Sequence, residues 1–386
     1  MKTRTLLRAF ALFAALFVSS CATPQYWWTY QNDLDRAGHS RSGIGRSAGL
    51  RWDIPLGGGT SDLTPAVFGA IGDTFRVFIG TGYGTQTLYA LHPQTGATLW
   101  TFTPAPGNGF VGAPAAVDAR VFVATLGQAP EVYALDQATG AVIWHTPLPG
   151  TGSRASVTVA NGRVLVNTDA HELRSFDAAT GALQWTAHTS PGATSQESSP
   201  AVLLGAVYVG SDNGLYAFNL STGAPLWPRY PLGGTPGFSS PVIATRPNAP
   251  PLVLIGDSSG AITAVNAITG ALAWTHPAGV SLANMTVAVA EGRVFARHLA
   301  EAVALDLNSG ALLWLRALPL ANKSPAVGGR VVYYSVGGDL VGLDTATGAP
   351  VWKGATPIVS QVAGADMAIS LEILVAPNGG HVYAFK

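Results

Sequence analysis

The chain has 386 residues, with 21 Lys plus Arg against 21 Asp plus Glu and only 11% charged residues. That balance excludes a protein built to neutralise nucleic-acid phosphates, which needs a basic face. A hydrophobic content of 48% is too high for disorder, and 46 Gly with 26 Pro fit many short strands joined by tight turns.

The N-terminus reads as an export signal. Lys2, Arg4 and Arg8 form a basic region, Ala9 to Val18 a short apolar run, and Ser19-Ser20 a small-residue site before Cys21. The apolar run is about 10 residues, against the roughly 20 that a spanning helix needs. Val18-Ser19-Ser20-Cys21 resembles the bacterial lipobox, which implies cleavage before Cys21 and acylation of that residue, turning a soluble domain into a tethered one. Residues 1–20 are therefore expected to be a lipoprotein signal peptide, and residues 21–49 a lipid-anchored linker and strap. Tyr26-Trp27-Trp28 and Tyr30 in that linker are expected to pack on the wall of the following domain. Loss of the leader leaves 18 basic against 21 acidic residues. Cys21 is the only cysteine, so an intramolecular disulfide, a CxxC redox pair, a CxxCH haem site and a multi-cysteine zinc site are excluded.

From residue 50 onward one phrase governs the chain. Asp/Asn/His-x-x-Thr/Ser-Gly-x-x-x-Trp occurs seven times, beginning at His92, Asp136, Asp177, Asn219, Asn266, Asp306 and Asp344. Its glycines are Gly96, Gly140, Gly181, Gly223, Gly270, Gly310 and Gly348; its tryptophans are Trp100, Trp144, Trp185, Trp227, Trp274, Trp314 and Trp352. An alternating strand such as Val132-Tyr133-Ala134-Leu135 precedes the phrase, and a second strand ends at the Trp, so each phrase marks a hairpin. The Asp or Asn side chain accepts backbone N–H groups two residues on, and Gly supplies the positive φ that closes the turn. Two further strands lie upstream, as in Ser199-Pro200-Ala201-Val202 and Ala206-Val207-Tyr208-Val209. Four antiparallel strands in about 40 residues make a propeller blade.

The ends give the blade count. The chain stops at His381-Val382-Tyr383-Ala384-Phe385-Lys386, the third strand of an eighth unit, and the missing fourth strand appears at residues 50–56 around Trp52. Pairing those segments would close the ring and remove an open edge. The expected fold is thus an all-β, eight-bladed propeller over residues 50–386, with each Trp wedged between blades and burying on the order of 200 Å², roughly 5 kcal/mol gross.

No motif here suits bond-making chemistry. Gly256-Asp257-Ser258-Ser259-Gly260 fits the Gly-x-Ser-x-Gly pattern, but in repeat register it is a hairpin with no helix after it. Gly80-Thr81-Gly82-Tyr83-Gly84 likewise reads as a glycine-rich hairpin and not a phosphate loop. The eight histidines are scattered, and each turn offers at most one carboxylate where calcium takes six to eight oxygens, so no metal and no cofactor is expected.

The repeat phrase, with Tyr-Ala-Leu-Asp-x-x-Thr-Gly-x-x-x-Trp, resembles that of the quinoprotein-like (PQQ-type) propeller superfamily over nearly the whole mature chain. One branch of that superfamily, the quinone-dependent dehydrogenases, holds its cofactor in the central channel, in the alcohol dehydrogenases beside an adjacent cysteine pair that this chain cannot make. The other, the lipoprotein family of the outer-membrane β-barrel assembly machinery, is similar in its lipobox, eight short blades and bare Val-Tyr-Ala ending. This second resemblance implies a non-enzymatic scaffold, monomeric within a complex, tethered through Cys21 to the outer membrane and facing the periplasm. Ala22 is not the Asp of the inner-membrane retention signal. It also implies a membrane-bound protein partner, an assembly barrel, contacted through an acidic stretch before a strand start. Gln196-Glu197-Ser198-Ser199-Pro200 matches that stretch at Glu197 and departs at Ser195; Arg154 stands in the corresponding loop of the preceding unit. The alternative is a propeller module binding carbohydrate or peptide.

Overall fold

Each repeat unit folds as one meander, and the cause is local. In the second unit the Asp136 carboxylate takes the N–H groups of Ala138 (3.0 Å) and Thr139 (2.8 Å) and the Thr139 hydroxyl (2.8 Å). Gly140 then turns the chain at φ +75°, and the strand Glu131–Asp136 pairs back onto Val142–Pro147. The same capping recurs at Asp177, Asn219, Asn266, Asp306 and Asp344. The computed structural model describes residues 38–40, 43–45, 47–56, 67–71, 74–82, 85–189, 198–212, 214–283, 285–298, 300–318, 323–336, 339–355, 366–370, 372–378 and 380–386.

Eight antiparallel blades result, at residues 67–102, 115–147, 158–188, 201–231, 242–277, 288–317, 326–355 and 368–385, the last completed by 50–55. Their first strands stand side by side around a central channel. Ring closure is as the ends of the sequence require: Leu50–Pro55 lies antiparallel on His381–Phe385, with Trp52 opposite Ala384. The fourth strand of blade 4 shrinks to Tyr230–Pro231, because Pro225 and Pro228 remove ladder N–H groups beside Trp227. Leu272, Leu312 and Leu313 remain exposed on the outer strands of blades 5 and 6.

The blades are held by their tryptophans. Seven of the eight repeat tryptophans are buried and Trp100 is half-buried. Each indole Nε1–H donates to a backbone carbonyl of the next turn: Trp52 to Pro93, Trp100 to Gln137, Trp144 to Ala178, Trp185 to Leu220, Trp227 to Ala267, Trp274 to Leu307 and Trp314 to Thr345. The turn glycine lies flat under the ring; a Cβ on Gly310 would stand 2.5 Å from Trp274 Cε3.

Blade 8 has no such turn, because its third strand ends at the C-terminus. Residues before the closing strand stand in for it. Gly49 and Lys386 exchange two backbone hydrogen bonds (3.2 and 3.1 Å), and Trp352 Nε1 donates to the Ala48 carbonyl (2.9 Å). Ile44 is buried in the hydrophobic cluster that joins Tyr333, Trp352 and Phe385. Further upstream, His39–Ser40 runs parallel to Ala326–Gly328, the first strand of blade 7, and gives that blade a fifth strand inside the channel. A two-stranded ribbon of Asn108–Gly109 with Leu126–Gly127 is a further addition that the repeat pattern does not announce.

Candidate functional site

The meander gives the disc two unlike rims. On one, the turn between third and fourth strands sits beside the turn between first and second, as Gln137 N–H donating to Ala119 O (2.9 Å) shows. On the other, hairpins between second and third strands meet the connections that lead to the next blade, as Leu148 N–H donating to Pro130 O (2.8 Å) shows. We call these the turn rim and the connection rim.

On the turn rim the turn between third and fourth strands repeats in seven blades, and its Asp carboxylates are spent on capping. The hydroxyls of Thr139, Thr180 and Ser309, with the adjacent backbone N–H groups, hold Asp136, Asp177 and Asp306 below the usual carboxylate range. The connection rim is where the blades differ. Its segments 148–157, 232–241 and 278–287 share no turn phrase, and binding residues fall disproportionately on loops of this kind.

Acid–base pairs gather on the connection rim, at the starts of third strands and the ends of fourth strands. Glu131 meets His145 (2.8 Å) and Tyr133; Glu172 meets Arg174 (2.7 Å) and His188 (3.8 Å); His171 meets Asp212 (3.2 Å); Asp339 meets Lys353 (2.6 Å); His381 meets Asp53 (2.6 Å). Burial opposes ionisation of Glu131, but hydrogen bonds from Tyr133 and His145 hold its carboxyl below the usual range. The rim is thus polar and charge-balanced, not a field of one sign.

Arg154 lies on this rim, half-buried in the connection from blade 2 to blade 3. Its neighbour Ser153 donates to the Asn167 carbonyl (2.6 Å), and the Asn167 amide donates to the Ser198 carbonyl (3.0 Å). Asn167 is buried at the end of the second strand of blade 3. One residue therefore ties the Arg154 loop to the start of the segment that enters blade 4. Glu197, next to Ser198, lies outside the described residues, as do Ser195, Gln196, Cys21 and the aromatic residues Tyr26 to Tyr30. Ser258 lies in the hairpin between second and third strands of blade 5, where its hydroxyl accepts the Thr235 N–H (2.9 Å).

Where the connections enter the channel, a relay of hydroxyls links the blades. Backbone N–H groups of Ala113, Ser156, Ser199, Ser240 and Thr286 donate in turn to the side-chain oxygens of Ser156, Ser199, Ser240, Thr286 and Ser324, at 2.9 to 3.0 Å. Ser324 N–H ends the relay on Asp366 (2.9 Å). The Ser-Pro pairs at strand starts are the sequence trace of this ring, but the inter-blade bonding needs the folded register to be seen. Burial pushes the adjacent Lys323 below the usual lysine range, and the Asp366 carboxylate opposes that shift. Among the described residues no group of three or more His, Cys, Asp or Glu could hold a metal ion.

The structure is an all-β, eight-bladed propeller with short repeated turns on one rim and a polar, variable connection rim, a class of fold that hosts unrelated activities. The family model described as outer membrane protein assembly factor BamB matches residues 84–258 and 258–386, and the chain belongs to that family. It is 28% identical over 301 residues to the outer membrane protein assembly factor BamB of Moranella endobia, covering 71% of this chain and 74% of that protein. It is 26% identical over 297 residues to the protein of the same name from Yersinia pestis, covering 72% and 64%. Among solved structures, BamB from Moraxella catarrhalis matches with a TM-score of 0.67 at 17% identity, covering 88% and 99% of the two chains. Quinohemoprotein alcohol dehydrogenase from Comamonas testosteroni matches at 0.75 and 15% identity, covering 94% and 80%. Both likenesses concern the fold alone.

Proposed function

We propose that this protein is a non-enzymatic scaffold, lipid-anchored through Cys21 on the periplasmic face of the outer membrane, which presents its connection rim to a membrane-bound assembly barrel. The observation that carries the choice of rim is the contrast between the two faces. The turn between third and fourth strands recurs in seven blades with its cap and glycine at fixed offsets, whereas the connections differ from blade to blade, and Ser153, beside Arg154, and Ser198, where the chain enters blade 4, are both tied to one buried residue, Asn167. Family membership supports the process, since the relatives carry the name of outer membrane protein assembly factors.

A quinone-dependent activity fits these residues poorly. The single cysteine leaves no cysteine pair, and the chain's own His39–Ser40 strand takes up one inner edge of the channel. The remaining alternative, a module for carbohydrate or peptide, shares the fold but not the requirement for a barrel. Chemical crosslinking of the tagged protein in its native membranes, with Cys21→Ala as control, separates these readings. An assembly barrel dominating the wild-type sample, and reduced by Arg154→Glu, is the expected result; a wild-type sample without such a barrel refutes the scaffold reading.

A further inference from the structure

The inner edge of blade 7 differs from the others. A sheet edge presents unpaired backbone N–H and C=O groups, and eight such edges line the channel. Among the described residues only blade 7 has a strand laid on it: Val327 N–H donates to the Gly38 carbonyl (2.7 Å) and Gly329 N–H to the Ser40 carbonyl (3.0 Å). The pairing is parallel, so the segment runs from the connection-rim mouth toward the turn rim. Gly38 and Ser40 are buried there.

The two halves of this N-terminal strap are held unequally. Residues 43–49 are anchored by the buried Ile44, by the Trp352 bond to Ala48 and by the double bond between Gly49 and Lys386. Residues 38–40 contribute a two-residue register. Gly43 separates the halves and passes so close to blade 7 that a Cβ there would stand 2.6 Å from the Gly328 oxygen. Blade 7 permits that approach through Gly328 and Gly329 in its first turn, where the corresponding stretches read Val117-Asp118, Ala160-Asn161, Leu203-Leu204 and Ala290-Glu291 in blades 2, 3, 4 and 6.

We propose that the inner edge of blade 7 is a strand-accepting slot, filled in cis by Gly38–Ser40, which takes an extended peptide with small residues at the places of Gly38 and Ser40 in trans when that short segment lifts away. Recognition is through the backbone, as in strand addition generally. The peptide lies parallel to Ala326–Gly328 and enters from the connection rim. The proposal depends neither on lipidation nor on a barrel partner.

Hydrogen exchange on the full-length protein tests it. In the wild type the Val327 and Gly329 amides should exchange more slowly than their counterparts Val289 and Glu291 in blade 6, by roughly 5- to 150-fold for two backbone hydrogen bonds. Gly43→Val should remove most of that difference without lowering protection of the second and third strands of the same blade. A synthetic peptide of residues 36–42 at millimolar concentration should restore it, and the same peptide with Ser40→Pro should not. Equal exchange in blades 6 and 7 of the wild type overturns the proposal, as does a folded Gly43→Val protein that the peptide leaves unprotected. If Gly43→Val does not fold, Gly43→Ala carries the same first clash with a smaller side chain and takes its place.

Discussion

Two glycines of blade 6 offer a test of the wedge between blades. Gly292 and Gly310 share a φ of +70°, so an alanine at either pays the same left-handed strain of about 1–2 kcal/mol. Their surroundings are opposite: a Cβ at Gly292 meets nothing within 4 Å, whereas at Gly310 it would lie 2.5 Å from Trp274 Cε3 and 2.8 Å from Cδ2. Overpacking adds about 1–3 kcal/mol, because Trp274 is fixed by its bond to the Leu307 carbonyl and cannot swing away cheaply. Gly292→Ala should therefore cost about 1–2 kcal/mol and Gly310→Ala about 2–5 kcal/mol. With an unfolding entropy near 2.1 cal/mol/K per residue, 1 kcal/mol lowers Tm by roughly 1.4 °C in a domain of this size. The two variants should melt about 1.5–3 °C and about 3–7 °C below wild type in scanning calorimetry. Equal losses would refute the claim that the turn glycine is selected by the indole above it, leaving backbone conformation as the whole requirement.

Other variants probe the remaining contacts. Ser240→Ala leaves the Ser199 N–H buried without its acceptor and should cost about 1–3 kcal/mol in urea unfolding, with faster exchange at the Ser199 amide. Deleting residues 381–386 removes the partner of Leu50–Pro55 and the Gly49 pairing, so size-exclusion chromatography should show more association than for the full chain. The capping carboxyls of Asp136, Asp177 and Asp306 are held down first by the hydroxyls of Thr139, Thr180 and Ser309. A folded value below the unfolded one near 3.9 means that this stability is present above about pH 4 and is lost as pH falls through the folded value. Asp306→Asn, which copies the turns at Asn219 and Asn266, should therefore differ from wild type in urea midpoint at pH 6 and converge on it by about pH 3; a gap that stays constant with pH contradicts the assignment. Cys21→Ala should move the protein from the membrane fraction to the soluble fraction on fractionation.

The fold was legible because the phrase from Asp136 to Trp144 carries a complete local instruction: a cap, a left-handed glycine and an aromatic at fixed offset. Closure was legible because Trp52 occupies the fourth-strand position that the C-terminus lacks. A strap before residue 50 was expected, but its place at 38–49 was not legible, since Gly38, Ser40, Gly43, Gly45 and Gly49 have no hydrophobic period and their place depends on partners some 290 residues away, at Val327 and Gly329. The candidate site is intermediate. Register alone puts Arg154 in a connection, but that Asn167 couples its neighbour Ser153 to Ser198 depends on a buried residue whose partners only the folded ring brings together. The hydroxyl relay shows the same limit, for Thr286 and Asp366 continue it without the Ser-Pro signature.

Symmetry sets the problem that these deviations solve. A ring of eight equivalent blades offers eight equivalent edges and eight equivalent turn sites, so a partner that reads only the repeat has no preferred orientation. Recognition requires the equivalence to be broken. The chain breaks it twice: by unequal connections on one rim, and by its own two ends, which meet between blades 7 and 8 through Ala48, Gly49 and Lys386. The second break also fills the inner edge of blade 7 and no other described edge. A partner approaching from the connection rim therefore meets a disc with a unique azimuth, fixed by backbone hydrogen bonds and small residues, and substitutions that spare the blades but free the strap should change orientation before they change stability.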